Sequence, residues 1–392
     1  MDKLPPHICP LPWISMETTP MGNCRPCCLA KDEIPGIDLR KDTMADAYNS
    51  DYMKDLRKQF LNGEKPETCS RCWTEEAAGK TSKRMNTNVR LKHLVEKIDY
   101  ENIEPDQLWF LDLKLGNVCN LKCRICGSWS SSKWAQEEMD RDGGGKEHLA
   151  YKQLKMGKWP EQNDQFWNNL EAIVPNIRYI EFTGGEPFLI REQAEFINQI
   201  PATIACNIEL HYNTNGTAPI PLDWSKFKKV QLAYSIDNVG ERFEYERYGA
   251  NWDVVNSRFD LLRQMSATVD HQLCFTINIQ NVYYLDELLL WAKELNFFDD
   301  IHWNYLHEPW QMNVQYMTAE AKELVLHRIT HNHMKVLPEY KDEWQQLYRF
   351  IESGPSSDGS VFCEYMGKTD KLRNQDFATL YPEIARDMGV TK

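Results

Sequence analysis

Along this chain the spacing of apolar positions changes near residue 108. Beyond it, short apolar runs alternate with amphipathic stretches, which is the pattern of strands alternating with helices. Strands are predicted at 108–115, 179–183, 204–213, 230–236, 273–279 and 301–305. Helices are predicted at 130–141, 164–173, 192–199, 252–266 and 284–295, with an irregular segment at 218–229. Strands and helices in this order build a parallel α/β sheet. Residues 1–100 follow no such rule. A hairpin is expected at 13–18 with its turn at Pro20-Met21-Gly22, then a helix over 44–60 in which Leu56 and Phe60 stand at i,i+4. Asn62-Gly63 ends that helix, and a polar helix starts at 74–78. Residues 80–105 read as a polar connector ending at Pro105, with Ser82-Lys83-Arg84 on a solvated face or in a loop near the substrate pocket. Residues 142–160 read as an inserted surface loop. Helices near 318–330 and 340–352, a turn at 354–359 and a last helix follow, a tail expected to cover the open side of the sheet.

A length of 392 residues allows two or three domains, and 42% hydrophobic with 26% charged residues describes an ordinary globular chain. The formal charge of −13 speaks against a nucleic-acid partner, because phosphate contacts need clustered Lys and Arg. No apolar run is long enough for a membrane span, and MDKLPPHICPLPW lacks the basic-then-apolar order of a secretory signal. Twelve cysteines without such a signal predict metal or redox use in a reducing, cytoplasmic setting. Nine of the twelve fall within the first 126 residues, so the chemistry is concentrated there.

Cys119-Asn-Leu-Lys-Cys123-Arg-Ile-Cys126 follows the first predicted strand of the α/β region. Iron–sulfur clusters are usually held by four thiolates. Three thiolates in eight residues can hold three corners of a cubane and leave one iron open to a ligand. Downstream, Glu181-Phe-Thr-Gly184-Gly185-Glu186-Pro187 lies between a predicted strand and helix. Two adjacent glycines permit close backbone approach to a ligand, and the carboxylate beside them suits an ammonium group. Asn213-Thr-Asn215-Gly216-Thr217 and Ser235-Ile-Asp237 close the next two strands with short polar side chains. These are either hydrogen-bonding groups for a ligand or plain turn formers.

The Cys-x3-Cys-x2-Cys spacing, with Gly-Gly-Glu about 60 residues later, resembles the radical S-adenosylmethionine (SAM) superfamily. That resemblance covers 110–310 and implies a partial (β/α)6 TIM-like barrel with its chemistry at the C-terminal strand ends. It implies a [4Fe–4S] cluster on Cys119, Cys123 and Cys126, with SAM chelating the open iron. Gly184, Gly185 and Glu186 would hold the amino group of SAM. Asn213, Ser235, Asp237 and Arg247 would serve its ribose and carboxylate, with Asn281 a further candidate near the adenine. Cleavage of SAM to a 5′-deoxyadenosyl radical and hydrogen abstraction from a peptide, protein or small-molecule substrate would follow, supported by a low-potential reductant such as flavodoxin or ferredoxin. In one departure, Ile125 stands where an aromatic commonly precedes the third cysteine.

Upstream, Cys9, an aromatic hairpin, Gly22-Asn-Cys24-Arg-Pro-Cys27-Cys28, a helix and Cys69-x2-Cys72 resemble the auxiliary-cluster module called twitch, related to the longer SPASM module. Such a module usually follows the radical SAM core; here it precedes it. The resemblance implies a second Fe–S cluster, of [4Fe–4S] type, on Cys9, Cys27, Cys69 and Cys72, with Cys24 and Cys28 as competing ligands. The chain accordingly divides into an auxiliary module and connector (1–100), the barrel (101–310) and a C-terminal helical extension (311–392). Read from the residues alone, Cys24-x2-Cys27 and Cys69-x2-Cys72 also make a four-thiolate zinc site, which would suit a SAM-binding interaction protein without radical chemistry. His211, Tyr212, Trp303, Asn304 and Trp310 lie near strand ends and could line a pocket. No paired carboxylates and no Ser/His/Asp set suggest hydrolysis, and no catalytic acid or base is assigned.

Overall fold

The structure, a computed structural model, describes residues 5, 7–77, 81–104, 106–161, 163–220, 222–263 and 269–390. Pro105 and the ends of the helices predicted at 74–78 and 252–266 lie outside the described residues. Ten strands form: β1 (Ser15–Thr18), β2 (Cys24–Arg25), β3 (Phe110–Leu113), β4 (Lys122–Cys123), β5 (Tyr179–Phe182), β6 (Glu209–Thr214), β7 (Lys229–Ser235), β8 (Arg247–Tyr248), β9 (Val269–Ile277) and β10 (Asp300–Tyr305). Each of the six strands predicted beyond residue 108 is among them, in a mixed α/β fold with parallel strands. The chain folds into two compact units, one of residues 1–118, 152–212 and 220–231, the other of 119–151, 213–219 and 232–392. These units cut across the expected segments 1–100, 101–310 and 311–392.

In the first unit the strand order is β2-β1-β3-β5-β6. β1 runs antiparallel to β2 but parallel to β3, which continues parallel to β5 and β6. The cysteine-rich N-terminus therefore contributes a strand to the main sheet, which is why it does not separate at residue 100. The register sets Glu17 opposite Asp112, Asp112 opposite Glu181 and Glu181 opposite His211. Because side chains alternate across a strand, one face of four strands carries this polar row. The opposite face packs aromatics: Tyr212, fully buried, stacks between Phe182 and Phe188 at centroid distances of 4.7 and 4.8 Å. Tyr212 is thus a core residue.

Several sequence expectations are corrected here. The helix expected over 44–60 is two, Met44–Tyr48 and Asp51–Leu61. Ser50 interrupts it by accepting the Met53 amide and starting a new helix. Residues 204–205 belong to a helical turn, Ala202–Ala205, that begins after Pro201, so the strand starts only at Glu209. The connector forms the helix Lys83–Arg90, and its Lys83 and Arg84 are inside, with Arg84 paired to Glu76 and bonded to the Ile8 carbonyl. The 142–160 insertion carries the helix Leu149–Met156 and buries Trp159. A Cβ on Gly22, at φ +86°, would lie 3.1 Å from the Trp159 ring, so glycine at that hairpin turn answers both the backbone angle and the indole.

In the second unit β9 and β10 pair in parallel over six residues, and β4 pairs antiparallel with β8. Helices Ser132–Asp142, Trp252–Leu262, Leu285–Leu295, Ala319–Arg328, Lys341–Glu352 and Ser360–Arg373 belong to it. Trp303 is held between Phe275 and Trp344 at 5.0 and 4.8 Å, a packing position. Trp310 is 43% exposed. No helix among the described residues is long and apolar enough to cross a membrane.

Candidate metal centres

Four cysteines of the first unit line one small pocket: Cys9, Cys27, Cys69 and Cys72, with Leu11, Leu29 and Phe60 among the apolar walls. Local structure explains each position. Cys9 sits just before the helical turn Leu11–Ile14. Cys27 follows β2, where the Ala30 amide donates to its carbonyl at 3.0 Å. Cys69 ends the turn Glu67–Cys69, and Cys72 lies three residues on in the helix Ser70–Ala77, on the same face. Burial raises the Cys9 thiol well above its ordinary value, and Cys27, Cys69 and Cys72 raise it further. Burial, with Cys28 beside it, pushes Cys27 up to about 12. Thiols pushed up by burial and by one another are poor as free groups, and they suit a metal that takes them as thiolates.

The two competing cysteines face elsewhere. Cys24 is fully buried, its Sγ 4.0 Å from Met44 Sδ, and burial with the charges of Glu17, Glu33 and Asp42 raises its thiol. Cys28 receives a hydrogen bond from Lys83 Nζ at 2.7 Å. Lys83 also stands 3.6 Å from Asp112, so it joins Cys28 to the polar row. Along that row burial and Glu181 push the Asp112 carboxyl up to about 6. At Glu181 the effect of burial is outweighed by Lys83, His211 and Arg90, which hold its carboxyl low, at about 2. Glu17 takes a bidentate contact from Arg25 at 2.9 and 3.0 Å and an ion pair from Lys114. His211, expected to line a pocket, is one end of this row.

In the second unit Cys119, Cys123 and Cys126 stand on one loop pinned at several points. β4 pairs Cys123 with Arg247 of β8, and the Cys126 amide turns back to the Cys123 carbonyl at 3.0 Å. The Trp134 indole donates to the Cys123 carbonyl at 2.9 Å, and Ser131 Oγ to the Leu121 carbonyl at 2.6 Å. Leu121 itself is fully buried. Burial raises the Cys123 thiol to about 11 against the lowering pull of Arg247, with Cys119 raising it further; Cys126 is raised by burial, Cys123 and Cys119. The three thiols therefore lie within each other's field. Among the described residues, no three Cys, His, Asp or Glu side chains meet at the spacing of a single ion.

The remaining predicted residues divide. Gly184 and Gly185 take φ of +71° and +59°, and Glu186, fully buried, donates its amide to the Val118 carbonyl at 2.8 Å. Glu186 Oε1 accepts the Phe188 amide at 3.3 Å. Asp237 and Arg247 pair with each other at 2.6 Å, and Arg247 reaches Cys123 Sγ at 3.7 Å. The second oxygen of Asp237 accepts the Thr276 amide, leaving Arg247 Nε buried without a hydrogen-bond partner. Asn213 and Ser235 are half-buried. Asn281 is committed to the carbonyls of Asp237 and Thr276 at 3.1 and 2.9 Å. Asn304 donates to Cys274 Sγ at 3.1 Å.

Residues 9–73 match the SPASM family. The matching model is described as an iron–sulfur cluster-binding domain, and its span encloses all four cysteines of the first pocket. No curated protein matches the chain. Among solved structures, anSMEcpe with bound AdoMet is 18% identical over 56% of this chain and 58% of that one, with a TM-score of 0.38. TYW1 with a lysine-pyruvate adduct bound is 12% identical over 56% and 72%, with a TM-score of 0.32. SuiB of Streptococcus suis bound to S-adenosylmethionine is 13% identical over 74% and 64%, with a TM-score of 0.31. The chain thus spans less than two thirds of the first of these.

Two further residues support these cysteines: Arg57, which the sequence did not single out, and Asn215, which the Asn213–Thr217 stretch had included. Around the SPASM cysteines, Arg57 is fully buried and donates to the carbonyls of Pro12, Tyr48 and Ile103 at 2.8–3.0 Å. At the three-cysteine loop, Asn215 donates to Asn120 Oδ1 at 3.0 Å and approaches Cys119 Sγ at 3.9 Å. Asn215 follows the last residue of β6, Thr214. Nothing local in the sequence marks Arg57.

Proposed function

We propose that this chain is a radical SAM enzyme with an auxiliary cluster in its SPASM segment. The observation that carries the reading is the loop bearing Cys119, Cys123 and Cys126, whose thiols lie in one another's field. Cys119, Cys123 and Cys126 would hold a [4Fe–4S] cluster, which together with SAM would supply reductive one-electron radical chemistry on a substrate. The donor set fits: three half-buried cysteines on a pinned loop, with the Cys123 and Cys126 thiols raised by burial. Cys9, Cys27, Cys69 and Cys72 would hold the auxiliary cluster, a set consistent with the pocket they line and with the SPASM match.

The chain's own residues do the holding. Gly184 and Gly185 keep the backbone free of side chains at the turn, and Glu186 offers a fixed carboxylate to an ammonium. Arg247, with an uncommitted Nε, is oriented by Asp237 toward a carboxylate. Asn213 and Ser235 are the candidates for a ribose. The substrate is a peptide, a protein or a small molecule, and the electron comes from a flavodoxin- or ferredoxin-type donor.

Anaerobic reconstitution tests this reading. About eight irons per chain are expected for two cubanes, with 5′-deoxyadenosine released on reduction in the presence of SAM. Replacing Cys119, Cys123 and Cys126 by Ser should halve the iron and abolish that release. One zinc per chain and intact SAM would overturn the proposal in favour of a structural metal.

A further inference from the structure

Both residues that flank Cys123 are charged, and both are tied to one helix near the C-terminus. Arg124 is fully buried. Its guanidinium lies 3.7 Å over the Tyr245 ring and donates through Nη2 to Asp370 and, at 2.8 Å, to Gln375. Tyr245 supports the same carboxylate by donating to Asp370 Oδ1 at 2.7 Å. The Arg124 backbone is held as well, its amide donating to the Glu246 carbonyl at 2.8 Å and its carbonyl accepting from Tyr365 Oη at 2.7 Å. On the other side, Lys122 pairs with Glu137, which accepts from Arg373 Nε at 3.0 Å. The Arg373 guanidinium in turn covers the rings of Trp134 and Tyr248 at 4.6 and 4.8 Å.

Tyr365, Asp370 and Arg373 all lie on Ser360–Arg373. Asp370 and Arg373, three residues apart, share one helical face. A loop with a two-residue strand as its only regular element has little rigidity of its own. A buried ion pair is a poor source of net stability, so the Arg124–Asp370 pair, and the buried Glu137–Arg373 pair that Lys122 joins, need another explanation. A ligand frame must be fixed before it binds, and groups behind the ligands set that geometry.

We propose that the helix Ser360–Arg373 is a clamp that fixes the three-cysteine loop, with Arg124 and Asp370 its principal positioning residues and Lys122–Glu137–Arg373 its second arm. The inference rests on the reading that this loop carries the SAM-binding cluster. It assigns the C-terminal extension a role in cluster retention, where the sequence suggested only a cover.

The test uses the full chain, anaerobically reconstituted, with iron release to a chelator followed alongside the electron paramagnetic resonance of the reduced protein with and without SAM. Asp370→Asn and Arg124→Lys should release the iron responsible for the SAM-responsive signal about tenfold faster than wild type. Auxiliary iron should leave at the wild-type rate. Glu364→Ala, on an exposed pair of the same helix, should change neither. Tyr365→Phe removes one hydrogen bond and keeps the packing; it should move release in the same direction by a smaller factor, and it serves if Asp370→Asn does not fold. Equal loss from both sites, or unchanged release in Asp370→Asn and Tyr365→Phe, overturns the clamp alone. A wild-type protein with no SAM-responsive signal overturns the clamp and the enzyme reading together.

Discussion

Gly184 and Gly185 are neighbours with the same left-handed backbone, yet alanine should cost them very different amounts. An L-residue forced into that conformation loses about 1–2 kcal/mol. At Gly184 a new Cβ would meet only Lys114 side-chain carbons, the nearest at 3.2 Å, and a flexible stem can yield. At Gly185 it would lie 2.4 Å from the Val118 carbonyl oxygen. That oxygen is not free to move, because it accepts the Glu186 amide at 2.8 Å. Forcing a methyl in adds about 1–3 kcal/mol, and loss of the hydrogen bond about 1 kcal/mol more. Gly184→Ala should therefore cost about 1–2 kcal/mol and Gly185→Ala about 3–6 kcal/mol, a gap of at least about 2 kcal/mol. Two compact units make a single unfolding midpoint a poor reporter, so local hydrogen exchange across residues 182–190 is the assay. A gap of about 2 kcal/mol is about a 30-fold difference in exchange rate. SAM binding to the anaerobic holoprotein should fall in the same order. Equal exchange in the two variants would refute the reasoning, because it would mean that the turn relaxes away from Val118 at no cost.

Serine at Cys9, Cys27, Cys69 or Cys72 should each remove the auxiliary iron, whereas Cys24→Ser should retain it and only lower stability; iron and sulfide per chain decide this. Arg57→Met strands two buried carbonyls, Pro12 and Tyr48, each worth about 1–3 kcal/mol when unsatisfied, so the SPASM segment should open to proteolysis with its iron lost, and unchanged cleavage would contradict the role given to Arg57. Asp112, raised to about 6 by burial and Glu181, binds its proton more tightly folded than unfolded. The stability this contributes is present below its ordinary value near 3.8 and is lost as pH rises through about 6. Relative to wild type, Asp112→Asn should flatten that decline in the local unfolding free energy that hydrogen exchange reads across residues 110–113 between pH 4.5 and 7, and a parallel pair of curves would contradict it.

What the sequence reveals follows the distance over which each feature is determined. The strands from Phe110 to Tyr305 were legible because apolar periodicity is local. The helix at 44–60 was misread at Ser50, where a capping side chain outweighs an otherwise continuous pattern. Cys119, Cys123 and Cys126 declare themselves by spacing, and Gly184-Gly185-Glu186 by the strand before it. Lys83 could not be placed inside the protein from a polar helix, because its burial depends on Cys28 and Asp112, 55 and 29 positions away. The same holds for Arg124, whose partner Asp370 is 246 residues distant.

The two cysteine sites solve one physical problem in opposite ways. In the segment that matches the SPASM family the proposed ligands are far apart in sequence, from Cys9 to Cys72, and gathering them carries a loop-closure cost that grows slowly with length. Arg57 already closes loops of similar size, reaching Pro12 across 45 residues and Ile103 across 46, and Trp13 reaches Asn102 across 89. Hydrogen bonds within the protein thus close loops of the same size as those between the four thiols. In the three-cysteine loop the ligands are adjacent and closure costs little, but a short loop has many conformations of nearly equal energy. There the missing restraint is orientation, supplied by Trp134, Arg247 and the charged residues on either side of Cys123. A frame of distant ligands needs proximity and a frame of neighbouring ligands needs direction, which is why buried arginines recur at both sites while their partners differ: backbone carbonyls around Arg57, carboxylates and rings around Arg124 and Arg247.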